Sequence, residues 1–136
     1  MSYELRDHTA DVAVEARGRS LGETFAAVAD GMTAAMCESF PDDGERFDLT
    51  VTASNREGAL FDYLDELIYQ RDVRSVLTVD NEATVAQRDG SWVVDASTRG
   101  VPLDRVTARE IKAVTYSEMA LDRTEDGWRA YVVFDV

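Results

Sequence analysis

An α+β single domain, with two main helices packed on a mixed or antiparallel sheet of about seven short strands, is the architecture this chain predicts. Three observations carry it. The chain has 136 residues, which is about one domain on a prior of roughly 100–200 residues each. Two segments repeat apolar residues at steps of three and four, the helical period, and most of the remainder alternates at the strand period of two. No repeat, linker or low-complexity run divides it, and Pro41 and Pro102 are its only prolines, so the domain is taken as residues 1–136.

Tyr3 and Leu5, then Val12, Val14 and Ala16, alternate with polar residues. They predict two short strands broken around His8-Thr9-Ala10. After Gly18, Ser20-Leu21-Gly22-Glu23 has capping-box spacing, with Ser20 as N-cap and Glu23 reaching back. Leu21, Phe25, Val28, Met32, Ala35 and Met36 then form one apolar stripe, and Pro41 and Gly44 are expected to end the helix. Phe47, Leu49 and Val51 alternate as a third strand. Asn55 opens a second helix with the stripe Leu60, Tyr63, Leu64, Leu67 and Ile68. Residues 73–98 are rich in β-branched side chains, and Asp89-Gly90 is the hairpin turn within them. A less regular stretch from Gly100 to Glu110 leads into a strand over Ile111–Leu121. Asp126-Gly127 turns the chain into a last strand, Trp128–Val136. There Trp128, Ala130, Val132, Phe134 and Val136 share one face, and Arg129, Tyr131, Val133 and Asp135 share the other.

Composition excludes several classes. A hydrophobic fraction of 45% is that of a globular chain. The single cysteine, Cys37, cannot build an internal disulfide framework. No apolar run approaches the roughly 20 residues that span a bilayer, and the polar start carries no signal core. The expectation is a soluble cytoplasmic domain with no membrane partner. Fourteen basic residues against 27 acidic ones leave a net charge of −13. Thirteen of the basic residues are Arg, and Lys112 is the only lysine. An Asp-rich, nearly Lys-free surface is expected of a protein kept soluble in a halophilic, high-salt cytoplasm, where salt screens self-repulsion. An acidic patch for a basic partner is the competing reading. The same charge argues against autonomous nucleic-acid binding, whose affinity comes from phosphate neutralisation by Lys and Arg.

The residues offer no catalytic set. One histidine excludes His-His metal motifs, and no glycine-rich phosphate loop precedes a Lys-Ser or Lys-Thr pair. Cys37 lies beside the first helix's apolar stripe, so a buried inert thiol is preferred to a nucleophile paired with His8. Three features remain, each with a plain structural alternative. Asp7-His8-Thr9-Ala10-Asp11 sets two acids around the only imidazole at a strand break, where Asx turns also occur. Lys112 opens Lys112-Ala113-Val114-Thr115-Tyr116 and supplies a point charge that Arg does not mimic, unless chance retained it. Asp135 and the α-carboxylate of Val136 end a strand that is apolar to its last residue. Clustered oxygens there suit a hard cation such as Ca²⁺, Mg²⁺ or Mn²⁺, although chain termini often fray.

Over essentially its full length the chain resembles the archease family. The matching residues are His8-Thr9-Ala10-Asp11 with Val12-Ala13-Val14, Ser20-Leu21 through Phe25, and Leu60 through Leu67-Ile68-Tyr69. The end of the chain matches too, from Gly127-Trp128 to Phe134-Asp135-Val136, and Ile111-Lys112-Ala113-Val114-Thr115-Tyr116 is the most specific block. The chain departs from the family pattern at Ser117, where His follows the Thr-Tyr pair, and at Gly100-Val101, where the family has Gly-Glu. Neither position touches the implied metal ligands, and neither is assigned a role.

The resemblance implies a non-catalytic activator of the RtcB-type RNA ligase of tRNA splicing. That ligase carries GMP on a histidine and needs Mn²⁺ and GTP; the activator promotes guanylylation and multiple turnover. A tRNA methyltransferase, modulated in a chaperone-like way, is the second partner implied. Carried over residue by residue, the family's divalent-cation site falls on Asp11, Asp135 and Val136, with Ca²⁺ first and Mg²⁺ or Mn²⁺ as alternatives. The functional lysine falls on Lys112, and His8 is left as a supporting or structural residue. A small metal-dependent hydrolase built on Asp11, Asp135 and Lys112 is the reading from another class, and its only candidate base is His8.

Overall fold

Seven strands and two long helices follow one another among the described residues. They are β1 (Ser2–His8), β2 (Asp11–Gly18), α1 (Leu21–Met36), β3 (Glu45–Ala53), α2 (Arg56–Arg74), β4 (Val76–Arg88), β5 (Ser91–Pro102), β6 (Ala113–Arg123) and β7 (Trp128–Asp135), with one 3-10 turn at Leu103–Arg105. The computed structural model describes residues 2–8 and 11–136, with residues 6–8 described through their backbone alone. The break expected around His8-Thr9-Ala10 therefore lies in part outside the described residues. The strands form two antiparallel sheets rather than one: β1-β2-β7-β6 and β3-β5-β4. Helix α1 packs on β1, β2 and β7 of the first sheet and β4 of the second, and α2 packs on β6 of the first and on all three strands of the second. The helices are thus the layer both sheets share, and one continuous apolar cluster runs through all of them.

Each helix begins where its capping residue predicts. The Ser20 hydroxyl accepts from the Glu23 N–H at 3.1 Å, and the Glu23 carboxylate accepts from the Arg19 N–H at 3.2 Å. The Asn55 side chain accepts from the Gly58 N–H at 2.7 Å. Such caps satisfy amides that have no partner inside the helix. Burial of α1 goes well beyond its predicted stripe: Ala26, Ala27, Ala29 and Gly31 are buried as well. A helix covered on both sides by sheets needs small residues around its circumference. Gly22 shows how close the approach is, since a Cβ there would fall on the Ala83 carbonyl oxygen of β4.

The helix ends earlier than Pro41 and Gly44 suggest. It stops at Met36, with extended backbone at Cys37, and its last carbonyls are taken by a distant arginine. The Arg109 N–H donates to Met36 O at 2.8 Å, and Arg109 Nε donates to Ala35 O at 2.8 Å. A cation at this end also suits the helix dipole. Three further boundaries differ from the sequence reading. β5 runs on to Pro102 because it pairs with β4 as far as Val76; β6 starts at Ala113; and Val136 lies outside β7. Val133, predicted to share a face with Asp135, is 2% exposed. It stands opposite Ala13 on the sheet's two central strands.

At the far end of the sheets, Arg56 stacks between two indoles, its guanidinium carbon 5.8 Å from the Trp92 ring centre and 5.0 Å from that of Trp128. These rings open β5 and β7, so one cation joins both sheets. A polar contact joins α1 to β4. Asp30 accepts from the Asn81 backbone N–H at 3.1 Å and from its side-chain amide at 2.9 Å. Burial pushes the Asp30 carboxyl above the usual carboxylate range, with the Asn81 bonds pulling the other way.

Two expectations follow from this packing. Alanine favours a helix by about 1 kcal/mol over glycine, yet Gly22→Ala should lower stability by about 1–3 kcal/mol through overpacking against β4; a raised melting temperature would refute the close approach. An acid whose pKa is raised on folding stabilises the fold most below its unfolded value, and that contribution is lost as pH rises through the raised value. Urea titrations should therefore show the stability difference between the protein and Asp30→Asn shifting toward the variant as pH rises through and above the usual carboxylate range. A pH-independent difference would contradict the desolvation of Asp30.

Candidate functional site

The register of the four-stranded sheet sets His8 opposite Asp11, Asp11 opposite Asp135, and Asp135 opposite Ala113. One row thus crosses all four strands at one end of the sheet. Residues directly opposite in an antiparallel pair project to the same face. On β2 the core face holds Val12, Val14 and Ala16, so Asp11 and Asp135 share the opposite face. Asp11 is half-buried and Asp135 exposed. Like charges opposed across a ladder repel, and among the described residues neither carboxylate forms an ion pair or side-chain hydrogen bond. Further along the same face the next acid is treated differently, because Glu15 is held by both Nε and the terminal nitrogen of Arg129.

Lys112 comes to this row through its backbone. Its N–H donates to Asp135 O at 2.8 Å, which extends the β6–β7 ladder by one step, and its side chain is exposed. Val136 follows Asp135 and is 38% exposed. The four residues singled out from sequence, Asp11, Lys112, Asp135 and Val136, therefore converge on one sheet end although they come from three separate stretches of chain. His8 joins them in register. Cys37 does not: it is 5% exposed, and its thiol donates to Ser39 O at 3.0 Å. Ser117 is exposed where the β6–β7 register shifts, and Val101 is fully buried in β5.

Among the described residues no three His, Cys, Asp or Glu side chains gather into a metal-binding group. Asp11 and Asp135 bring two hard oxygen donor groups to one face of the sheet. The arrangement offers two chemistries at one place: carboxylate oxygens for a hard cation, and an ammonium on a flexible stem.

Sequence reasoning missed the residues that hold this end together. Arg71, on α2, is 6% exposed. It donates from one terminal nitrogen to Ile111 O at 2.7 Å and from Nε to Asp72 at 3.0 Å. Arg109 ties the preceding segment to α1. Each resembles an ordinary surface arginine in the sequence. The usable signal for Arg71 was its place on the apolar side of α2, at i+3 and i+4 from Ile68 and Leu67.

Comparison with known proteins identifies relatives of the whole chain. Residues 3–136 match the Archease protein family. The protein archease of Methanosarcina acetivorans is 32% identical over 98% of this chain and 95% of its own length. That of Pyrococcus furiosus is 29% identical over 98% of both. The solution structure of Methanobacterium thermoautotrophicum protein 1598 superposes with a TM-score of 0.88 at 26% identity, covering 98% of both chains. A crystal structure from Thermotoga maritima, described as an archease and possible chaperone, shares the fold at a TM-score of 0.66 and 24% identity, over 96% of this chain and 94% of that one. With its two-sheet fold and its full-length match, the chain belongs to the archease family.

Proposed function

We propose that this chain is an accessory activator of an RtcB-type RNA ligase, promoting the ligase's guanylylation and multiple turnover while catalysing no reaction itself. The observation that carries the reading is the cross-strand placement of Asp11 against Asp135, with the amide of the only lysine bonded to the Asp135 carbonyl. Two carboxylates without a cationic partner among the described residues, held together by a backbone ladder, are poorly explained by stability, since their repulsion opposes it. They are well explained by a cationic ligand.

In this reading Asp11, Asp135 and the Val136 α-carboxylate hold one divalent cation, Ca²⁺, Mg²⁺ or Mn²⁺. When bound, the cation supplies concentrated positive charge that neutralises phosphate oxygens. The ladder fixes the backbones of Asp11 and Asp135, so the two side chains leave one face of the sheet side by side before any ligand arrives. Lys112 reaches outward on its exposed stem and offers an ammonium to a nucleotide phosphate or an acidic group of the ligase. The attacking histidine and the RNA chemistry belong to the partner. RNA contact is left to the ligase, in keeping with this chain's charge of −13. Such a partner places the work in the cytoplasm.

Guanylylation of the ligase with GTP and Mn²⁺, followed with and without this protein at molar salt, tests the reading. At least about tenfold acceleration is expected. It should be lost in Asp11→Ala and Lys112→Ala while melting temperatures without added cation stay unchanged. No acceleration at any salt concentration would overturn the proposal.

The role of the terminal carboxylate has its own measurement. A C-terminal tag should weaken divalent-cation binding in calorimetry, and an N-terminal tag should leave it intact. Equal affinities would remove Val136 from the site.

A further inference from the structure

We infer that Arg71 is a positioning residue for Lys112: a buried guanidinium on α2 that fixes where the only ammonium-bearing side chain stands beside the Asp11–Asp135 pair. The inference rests on the reading that Lys112 acts at that site, and adds how its place is set. Burying an arginine is costly unless its donors are used, and Arg71 at 6% exposure uses them unusually. Its Nε meets Asp72, whose side chain is 63% exposed. One terminal nitrogen donates to the backbone carbonyl of Ile111 at 2.7 Å, with Met36 Sδ at 3.4 Å. The shortest contact of a buried charge thus goes to the peptide joining Ile111 to Lys112.

The neighbourhood explains why that peptide needs holding. Between the 3-10 turn at Leu103–Arg105 and the start of β6 at Ala113 the chain has no regular ladder. Its fixed points are few. Arg109 grips the last carbonyls of α1, the Ile111 side chain is wholly buried, and the Lys112 N–H meets Asp135 O. Arg71 binds the carbonyl side of the peptide whose N–H side is bound by Asp135. The two bonds pin one peptide plane from both edges. A planar peptide held at both its oxygen and its nitrogen has its orientation set, which places the Lys112 Cα. With Ala113 already paired to Asp135 on the other side, the backbone from which the Lys112 side chain leaves is held from both directions. Arginine suits the task because its fork reaches the Ile111 carbonyl and Asp72 together and keeps its charge when buried.

Because Lys112 is the only lysine, its environment can be read at a single residue. Amide hydrogen exchange followed by NMR on the full chain needs neither ligase nor metal, so its result stands apart from the fate of the functional proposal. In Arg71→Met, which keeps the side-chain volume but removes the donors, the Lys112 amide should exchange about tenfold faster or more, while amides of the β2–β7 ladder keep their protection. Arg71→Lys, which keeps the charge and one donor, should fall between the two and serves if the methionine variant does not fold. In the ligase assay Arg71→Met should lower activation as Lys112→Ala does, with divalent-cation affinity unchanged, because Asp11 and Asp135 stand on strands Arg71 does not touch. Equal loss of protection at Lys112 and across the β2–β7 ladder would reduce Arg71 to a general stabiliser and overturn the inference. Unchanged exchange at Lys112 would overturn it as well.

Discussion

The antiparallel pairing of β2 with β7 is the constraint on which the rest depends. It joins residues near the two ends of the described chain into the centre of the four-stranded sheet. The uninterrupted register from Asp11–Asp135 to Gly18–Trp128 settles several things together. It sends Val12, Val14, Ala16, Ala130, Val132 and Phe134 to the core, where α1 covers them. It leaves the other face to Asp11, Asp135 and the Glu15–Arg129 ion pair. A slip of one residue would exchange the two faces and put carboxylates against α1. The same alternation that builds the core therefore also brings the two acids into opposition.

A second layer of control comes from arginines that act as clamps, on backbone carbonyls or on aromatic rings. Arg109 closes α1, Arg71 holds the peptide before Lys112, and Arg56 bridges the indoles that open β5 and β7. In a chain with thirteen arginines and one lysine, this use is physically coherent. A guanidinium carries several directed donors and remains charged when buried, whereas an ammonium is a mobile point charge. Fixed structural positions take arginine, and the exposed position in the candidate site takes lysine.

The period of the apolar residues made most elements legible in the sequence. The stripes Phe25–Val28–Met32 and Leu60–Tyr63–Leu64–Leu67 are buried as expected, and Asp89-Gly90 does turn β4 into β5. Division of the strands into two sheets was not legible, because alternation marks a strand without naming its partner. The true end of α1 was hidden as well, since its cap arrives from Arg109 far along the chain. The candidate site was proposed from residues and from a family resemblance, and only the register shows Asp11 and Asp135 face to face. The spacing of Arg71 from Leu67 and Ile68 puts it on the apolar side of α2, but what its guanidinium reaches depends on tertiary contacts that local pattern does not report.

The irregular strands β4 and β6 each lie on an edge of a different sheet. β4 breaks register between Val79 and Glu82, with Asp80 in the left-handed region at φ 49°. β6 breaks it between Thr115 and Ala120, with Glu118 at φ 57°. Irregularities of this kind bend an edge and interrupt its row of free amides and carbonyls, so another chain finds no long template for pairing. At molar salt the screening length shrinks to about 3 Å, and a charge of −13 no longer keeps copies apart. Under those conditions resistance to edge-to-edge aggregation along β4 and β6 passes from electrostatics to backbone shape, which salt does not screen.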